Sequence, residues 1–411
     1  MATVLFGISG SIAAYKACEL IRLLVGDGID VIPILSEGGA KFITATTVEA
    51  LTGRSAVTGI FTEAGAREIG HISLARKADL FVTCPASADI IAKYAVGLGD
   101  DPLALAALTW GIPHLIAPAM NHRLWENPAT QANVRILKDR GFVFIGPDKG
   151  MMACGEEGWG RLAPIEEIYG LIKAELGKNG PLAGRKILVT AGGTREFIDD
   201  VRYITNRSTG LMGHALAAEA RNMGANVILV TASELPTPYG MRVEKVRSAD
   251  EMRSIVMSEA EFLDAVVMAA AVSDFKPSGK SIGKVKKRDA GESLDLKLVR
   301  NPDILMDLAK IKAPGQVFVG FAAEYGPGGR EEAVRKCLDK SCDFICLNDV
   351  AREDIGFGTE HNEIAIIMPD GTEIGVPKGT KAEVSRVVME KIRELLDSLK
   401  KPGDVSDETD K

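Results

Sequence analysis

Two segments of the first half of the 411-residue chain concentrate side chains that can do chemistry. Pro118-Ala119-Met120-Asn121-His122-Arg123-Leu124-Trp125 puts an amide, an imidazole, a guanidinium and an indole on a Pro-bounded loop, directly after the apolar run Pro113 to Ala117. Loops at the carboxyl ends of parallel strands are where open α/β sheets take ligands. The second segment, Gly150 to Arg161, surrounds Cys154 and Arg161 with glycines, and its composition predicts a flexible flap. His71 lies between a glycine and a helix start and needs company to act; Asn121 and Cys154 are that company. A papain-like use of the three is disfavoured, because Cys154 does not open a helix that would stabilise its thiolate. Gly7-Ile8-Ser9-Gly10-Ser11 precedes a helix and offers backbone N–H groups and hydroxyls to a phosphate. Ser36 and Pro85-Ala86-Ser87 add hydroxyls at the ends of two further strands on the same sheet edge.

The second half carries a different set. Arg202, Asn206, Arg207, Ser208 and Thr209 crowd into eight residues at a helix start, a donor cluster suited to an acidic or phosphorylated ligand. Ala269-Ala270-Ala271-Val272-Ser273 runs into Asp274. Lys284 sits in a lysine run, Gly283 to Lys287, a composition that most often marks a solvated face. Asn301-Pro302-Asp303-Ile304 starts a helix, and Phe321 ends a strand. Lys336 and Lys340 stand four apart on one helix face, so two ammonium groups can converge on one phosphate chain. Cys337, Cys342 and Cys346 lack both a CxxC pair and a fourth ligand, and are read as structural.

The elements that must position these groups follow from periodicity. Apolar runs at Val4 to Ile8, Val31 to Leu35, Ala78 to Thr83, Pro113 to Ala117 and Val143 to Ile145 predict strands. Helical stretches alternate with them, one opening at Ser36 to Gly39. Alternation of this kind predicts a mostly parallel sheet with helices on both faces. Gly177 to Arg185 is rich in Gly and Pro, and the pattern then restarts with a strand at Lys186 to Thr190. The reading is α/β: two tandem Rossmann-like domains, residues 1–180 and 181–400, with a charged, disordered tail at 401–411. A late hairpin is expected around Pro369-Asp370-Gly371 and an amphipathic helix over Lys381 to Leu399. With 49 basic against 56 acidic residues the net charge is −7, which argues against general nucleic-acid binding. No apolar run reaches the roughly 18 residues that span a bilayer. The start runs straight into a strand with no basic, apolar leader, so a cytoplasmic protein without membrane partners is expected.

Gly7-Ile8-Ser9-Gly10-Ser11-Ile12-Ala13-Ala14-Tyr15-Lys16, His71, Pro85-Ala86-Ser87-Ala88, Pro118-Ala119-Met120-Asn121 with Trp125, and Ala153-Cys154-Gly155 resemble the flavin-containing cysteine decarboxylases. Over nearly the whole chain, in motif order, the resemblance is to the family of bifunctional phosphopantothenoylcysteine decarboxylases/phosphopantothenate–cysteine ligases of coenzyme A biosynthesis. It implies a flavodoxin-like FMN-binding domain with Gly10, Ser11, Ser36, Pro85, Ala86, Ser87 and Met120 at the flavin. It further implies catalytic roles for His71, Asn121 and Cys154, and Arg161 on the substrate phosphate. For the second half it implies a CTP- and Mg²⁺-dependent ligase acting on 4′-phosphopantothenate and cysteine. There Ala269, Ala270, Ala271, Asp274, Asn301, Pro302, Asp303, Ile304 and Phe321 would hold base and ribose. Lys284, Lys336 and Lys340 would carry the triphosphate, and Arg202 and Asn206 the acyl-nucleotide. A homo-oligomer is implied, with a trimer-based decarboxylase half, in which His71 serves a neighbour's flavin, and a dimeric ligase half. Departures are Asp89 and Val96 where the family has Asn, Gly193 where it often has Pro, and Arg207 where His is also seen. A flavin-binding regulatory protein without turnover is the alternative.

Overall fold

Val, Ile, Leu and Phe fill the strand that opens the chain, β1 (Thr3–Ile8), and five of its six residues are buried. A strand covered on both faces needs such an uninterrupted apolar run. The computed structural model describes residues 2–59, 78–109, 111–151, 155–286, 294–324, 329–349, 358–359 and 361–399. His71, Cys154 and the tail from residue 400 lie outside them. The described chain divides into two units, Met1–Leu176 and Gly177–Lys411.

In the first unit β1, β2 (Asp30–Leu35), β3 (Leu80–Ala86), β4 (His114–Pro118) and β5 (Val143–Phe144) form a parallel sheet ordered β2-β1-β3-β4-β5. This is the flavodoxin-like order, whose direction reverses between β1 and β3. One face of the sheet is covered by Leu20, Ile21, Leu24, Ile168 and Ile172. The other is covered by Ile90, Ile91, Leu103, Val134 and Leu137. Two sequence expectations need correction. Ser36 to Gly39 opens no helix; a short 3₁₀ turn, Gly39–Lys41, precedes a helix at Ala45–Thr52. Two consecutive glycines are poor helix formers, and Gly39 is needed where it stands, since a Cβ there would lie 2.2 Å from the Ile8 carbonyl oxygen. The predicted flap is in its described part a hairpin, β6 (Asp148–Met151) against β7 (Glu157–Arg161). It docks through Gly160, whose carbonyl accepts Met120 N–H at 2.9 Å and where a Cβ would meet Met120 O at 2.2 Å.

The second unit repeats the plan at larger size. Its strands are β8 (Lys186–Ala191), β9 (Arg195–Phe197), β10 (Tyr203–Thr205), β11 (Asn226–Thr231), β12 (Arg242–Lys245) and β13 (Ala265–Met268). Then come β14 (Phe275–Pro277), β15 (Leu298–Arg300), β16 (Val317–Glu324), β17 (Phe344–Asp349), β18 (His361–Ile367) and β19 (Glu373–Thr380). The main sheet is ordered β12-β11-β8-β13-β16-β17-β18-β19, parallel from β12 to β17 and antiparallel thereafter. Its six parallel strands have the 3-2-1-4-5-6 order of a dinucleotide-type fold, with the reversal between β8 and β13. The late hairpin turns where expected, Asp370 Oδ1 accepting Thr372 N–H at 2.8 Å. The helix after β19, Lys381–Ser398, starts with a Thr380/Glu383 capping box and buries Val384, Val388, Met389, Ile392 and Leu396. The small antiparallel pairs β9–β10 and β14–β15 carry no apolar alternation that the sequence would have shown.

Candidate active sites

In the first unit the carboxyl ends of β1 to β4 open into a cleft of about 1350 Å³. Gly10, Ser11, Ser36, Ser87, Met120, Asn121 and Arg161 all line it, although they come from five separate segments. Pro85 and Ala86 do not line it; they lie within β3, with Ala86 buried, and hold its rim. Ser9, which sequence reasoning left unassigned, ties that rim together. Its hydroxyl donates to Pro85 O at 2.8 Å and accepts Ser87 N–H at 2.7 Å. Where β1 and β2 end, Gly10 and Gly38 pass so close that a Cβ on Gly10 would sit 3.1 Å from Gly38 Cα. Ser36 Oγ closes the second loop by accepting Gly39 N–H at 2.8 Å. The result is a floor of backbone and hydroxyls at the switch point.

Asn121 caps a short helix, His122–Glu126, its Oδ1 accepting Arg123 N–H at 2.9 Å. That capping bond turns the NH₂ the other way, where it donates to Glu156 at 3.1 Å. Glu156 also meets Arg123 at 3.3 Å. Across the cleft rim, burial would pull the Lys93 ammonium down. Asp100 at 3.2 Å, with Asp89 and Asp101, instead holds its pKa above the ordinary value. At the start of β4, His114 is buried, stacked on Phe81 at 4.1 Å and bonded to Thr83 at 2.8 Å. Burial pushes its pKa down to about 3, so the ring is neutral.

In the second unit the ends of β13 and β16 border a cleft of about 1250 Å³. Asn206, Ala270, Ala271, Asp274, Asn301, Pro302, Asp303, Ile304, Phe321, Lys336 and Lys340 line it. The Asn206 amide donates to Val272 O at 3.1 Å and that of Asn301 to Ser273 O at 2.8 Å. Lys340 reaches Asp303 at 2.9 Å, and Lys336 reaches Glu332 at 3.7 Å. Three expected residues lie elsewhere. Ala269 lines a smaller neighbouring cavity of about 100 Å³. Arg202 is held by Asp199 at 3.1 Å and Val285 O at 3.3 Å, and Lys284 is exposed on the adjoining loop. The small cavity faces the start of the helix Leu211–Asn222, which has no side-chain cap at Gly210. Asn348, Asn362 and Lys381 also line it, and the two buried amide oxygens have no hydrogen-bond partner among the described atoms. Nothing in the sequence signalled these three, which come from strands and a helix far along the chain.

Four of the five described cysteines serve packing, and Cys18 is half-buried. Cys84, Cys337, Cys342 and Cys346 are buried, and burial pushes the thiols of Cys84 and Cys342 up to about 12 and that of Cys337 to about 11. Among the described residues no three His, Cys, Asp or Glu side chains gather as a metal site, and no helix is long and apolar enough to cross a membrane.

Two switch-point clefts, one floored by hydroxyls and glycines and one lined by amides and lysines, define a two-site α/β protein. The Flavoprotein family model matches residues 1–177, and the model for the DNA/pantothenate metabolism flavoprotein C-terminal domain matches residues 182–396. A coenzyme A biosynthesis bifunctional protein CoaBC of Vibrio vulnificus (strain YJ016) is 39% identical over 394 residues, covering 96% of this chain and 98% of its own. The protein of that name from Bacillus subtilis (strain 168) is 40% identical over 396 residues, covering 95% and 97%. A crystal structure of the C-terminal domain of a CoaBC protein covers 53% of this chain and 99% of its own, at 34% identity and a TM-score of 0.46. The chain belongs to the CoaBC family of coenzyme A biosynthesis. It is a bifunctional enzyme, a decarboxylase in its flavoprotein half and a phosphopantothenate–cysteine ligase in its second half.

Proposed function

We propose that the second unit joins 4′-phosphopantothenate to cysteine at the expense of CTP, and that the first unit decarboxylates the product to 4′-phosphopantetheine with FMN. The observation that carries this reading is the convergence, at each switch point, of side chains drawn from distant segments.

The first cleft suits FMN. Gly10 and Gly38 line the cleft with bare backbone, each so close that a Cβ on it would press on the other, and Ser11, Ser36 and Ser87 bring hydroxyls to the same cleft. When bound, the flavin supplies the hydride acceptor and donor. The chain's own groups then handle carboxylate and protons. The Asn121 NH₂, which donates to Glu156, would exchange that carboxylate for the substrate's and hold it with a neutral donor. A neutral donor orients that carboxylate without the strong stabilisation a cation would give, so its loss as carbon dioxide is not opposed. Cys154 would donate the proton that accompanies reduction of the enethiol, His71 would assist the first step, and Arg161 would grip the phosphate.

In the second cleft Asp274, Ala270, Ala271, the Asn301 to Ile304 turn and Phe321 would hold base and ribose. Lys336 and Lys340 would carry phosphates. Lys284 would offset charge as the carboxylate attacks the α-phosphorus, and Asn206 and Arg202 would bind the resulting acyl-nucleotide. Mg²⁺ would arrive on the nucleotide, whose phosphates supply most of its ligands. A homo-oligomer that brings His71 to a neighbouring subunit's flavin completes the reading.

One incubation tests it: protein, FMN, 4′-phosphopantothenate, cysteine and Mg²⁺ with CTP or ATP, read by mass spectrometry. 4′-Phosphopantetheine formed preferentially with CTP is expected. Phosphopantothenoylcysteine as the end product refutes the decarboxylase assignment, and an ATP preference refutes the nucleotide.

A further inference from the structure

We propose that Asp199 and Asp200 form a two-carboxylate bracket that positions Lys284 for ligation. This rests on the reading of Lys284 as the residue that meets the triphosphate. The loop carrying Lys284 has little apolar anchorage, and Ile282, next to it but one, is fully exposed. Its order comes from polar tethers at alternate residues. Ser281 N–H donates to Ile198 O at 2.9 Å, Gly283 N–H to Asp200 Oδ2 at 2.8 Å, and Val285 N–H to Asp199 Oδ2 at 3.2 Å. The amides on either side of Lys284 are thus each held by one carboxylate, while the lysine side chain stays exposed. Lys280 adds an ion pair to Asp200 at 2.7 Å.

Asp199 is the hub. It is fully buried, yet it receives Val201 N–H and Arg202 N–H at 2.7 Å each, the Arg202 guanidinium at 3.1 Å and Val285 N–H. A buried carboxylate persists only where such donors compensate its lost hydration. Burial alone would raise its pKa; the three backbone donors and Arg202 hold it below the ordinary value instead. Arg202 closes the circuit by donating to Val285 O at 3.3 Å. Two residues expected to act on the acyl-nucleotide and on the triphosphate are therefore linked through one side chain. A carboxylate that acts through Lys284 should lose its effect once Lys284 is gone, whereas one that merely supports the fold should not.

The experiment measures CTP-dependent pyrophosphate release in the full-length protein for K284A, D199N, D200A and the doubles D199N/K284A and D200A/K284A. Decarboxylation of supplied phosphopantothenoylcysteine monitors the rest of the chain. Loss of about 100-fold or more in kcat/KM is expected for K284A and of about tenfold for D199N and D200A. Either aspartate change should cost less than about threefold further in the K284A background. Trypsin should cut after Lys284 about tenfold faster in D200A, where an exposed carboxylate is removed without threatening folding. Independent losses that multiply in the doubles would overturn the bracket, as would wild-type ligation by both D199N and D200A beside an inactive K284A. Full ligation by K284A would instead overturn the reading of Lys284, and the bracket with it.

Discussion

Replacing Ser9 by alanine removes one oxygen and should disturb the whole flavin floor. Ser9 is 1% exposed, and its hydroxyl bridges the ends of β1 and β3 at the switch point. Ser9→Ala deletes two hydrogen bonds and leaves the Ser87 N–H without its 2.7 Å acceptor. The Pro85 carbonyl is less exposed to harm, because Ser9 N–H still donates to it at 3.2 Å. A net hydrogen bond is worth about 1 kcal/mol, and an orphaned buried donor costs about 1–3 kcal/mol, so a loss of about 2 kcal/mol is expected. In a unit of this size that lowers the unfolding temperature by roughly 4–8 °C. Because Ser87 lines the cleft and caps the next helix, FMN affinity should fall by about tenfold as well. Thermal unfolding of the flavin-free protein and a fluorescence titration with FMN measure the two effects. An unfolding temperature within 1 °C of wild type together with an unchanged dissociation constant would refute the bridge as the device that fixes the rim.

Further outcomes are expected elsewhere. Asn206→Ala should abolish ligation while leaving decarboxylation of supplied phosphopantothenoylcysteine intact; loss of both in that assay would mean the halves are not separable. His114 has a folded pKa of about 3, below the roughly 6.5 of an unfolded histidine, so the unfolded chain binds a proton that the folded one refuses. Stability of the first unit is thus full above about pH 6.5 and falls as pH drops towards 3, by up to about 1.4 kcal/mol per unit. His114→Phe should flatten that acid limb in urea titrations, and an unchanged slope would count against the buried-neutral assignment. Gly213→Ala would put a Cβ 2.5 Å from that of Ala191, where the helix Leu211–Asn222 crosses β8. Overpacking of this kind should destabilise the second unit by about 1–3 kcal/mol, seen as a lower denaturation midpoint with the same slope.

The strand-turn-helix alternation was legible because buried parallel strands need an apolar run, as Val4 to Ile8 and Ile187 to Val189 supply. The edge strand Arg242–Lys245 was not, since its RVEK sequence is held by pairing to β11 and carries no apolar signal of its own. The same physics separates the candidate residues. Ser36, Ser87 and Asn121 stand where strands end, so a reader who finds the strands finds them. Pro85 and Ala86 belong to the same motif as Ser87, but motif membership does not tell which residues face a cleft and which hold its rim. Arg202 and Lys284 were individually visible; Asp199, which holds Arg202 and the Val285 amide beside Lys284, was not, because more than eighty residues separate Asp199 from Val285. Asn348, Asn362 and Lys381 reach their cavity only through sheet order.

An enzyme that joins free cysteine to its substrate works in the presence of thiols and of the disulfides they form. Thiol–disulfide exchange proceeds through the thiolate and requires access to it. Burial raises the thiol pKa of Cys84 and Cys342, which keeps the thiolate scarce, and it also removes the access that exchange requires. Cys337 and Cys346 share the burial and the direction of shift. Burying these four sulfurs in apolar clusters shields them from being capped by the substrate in its oxidised form.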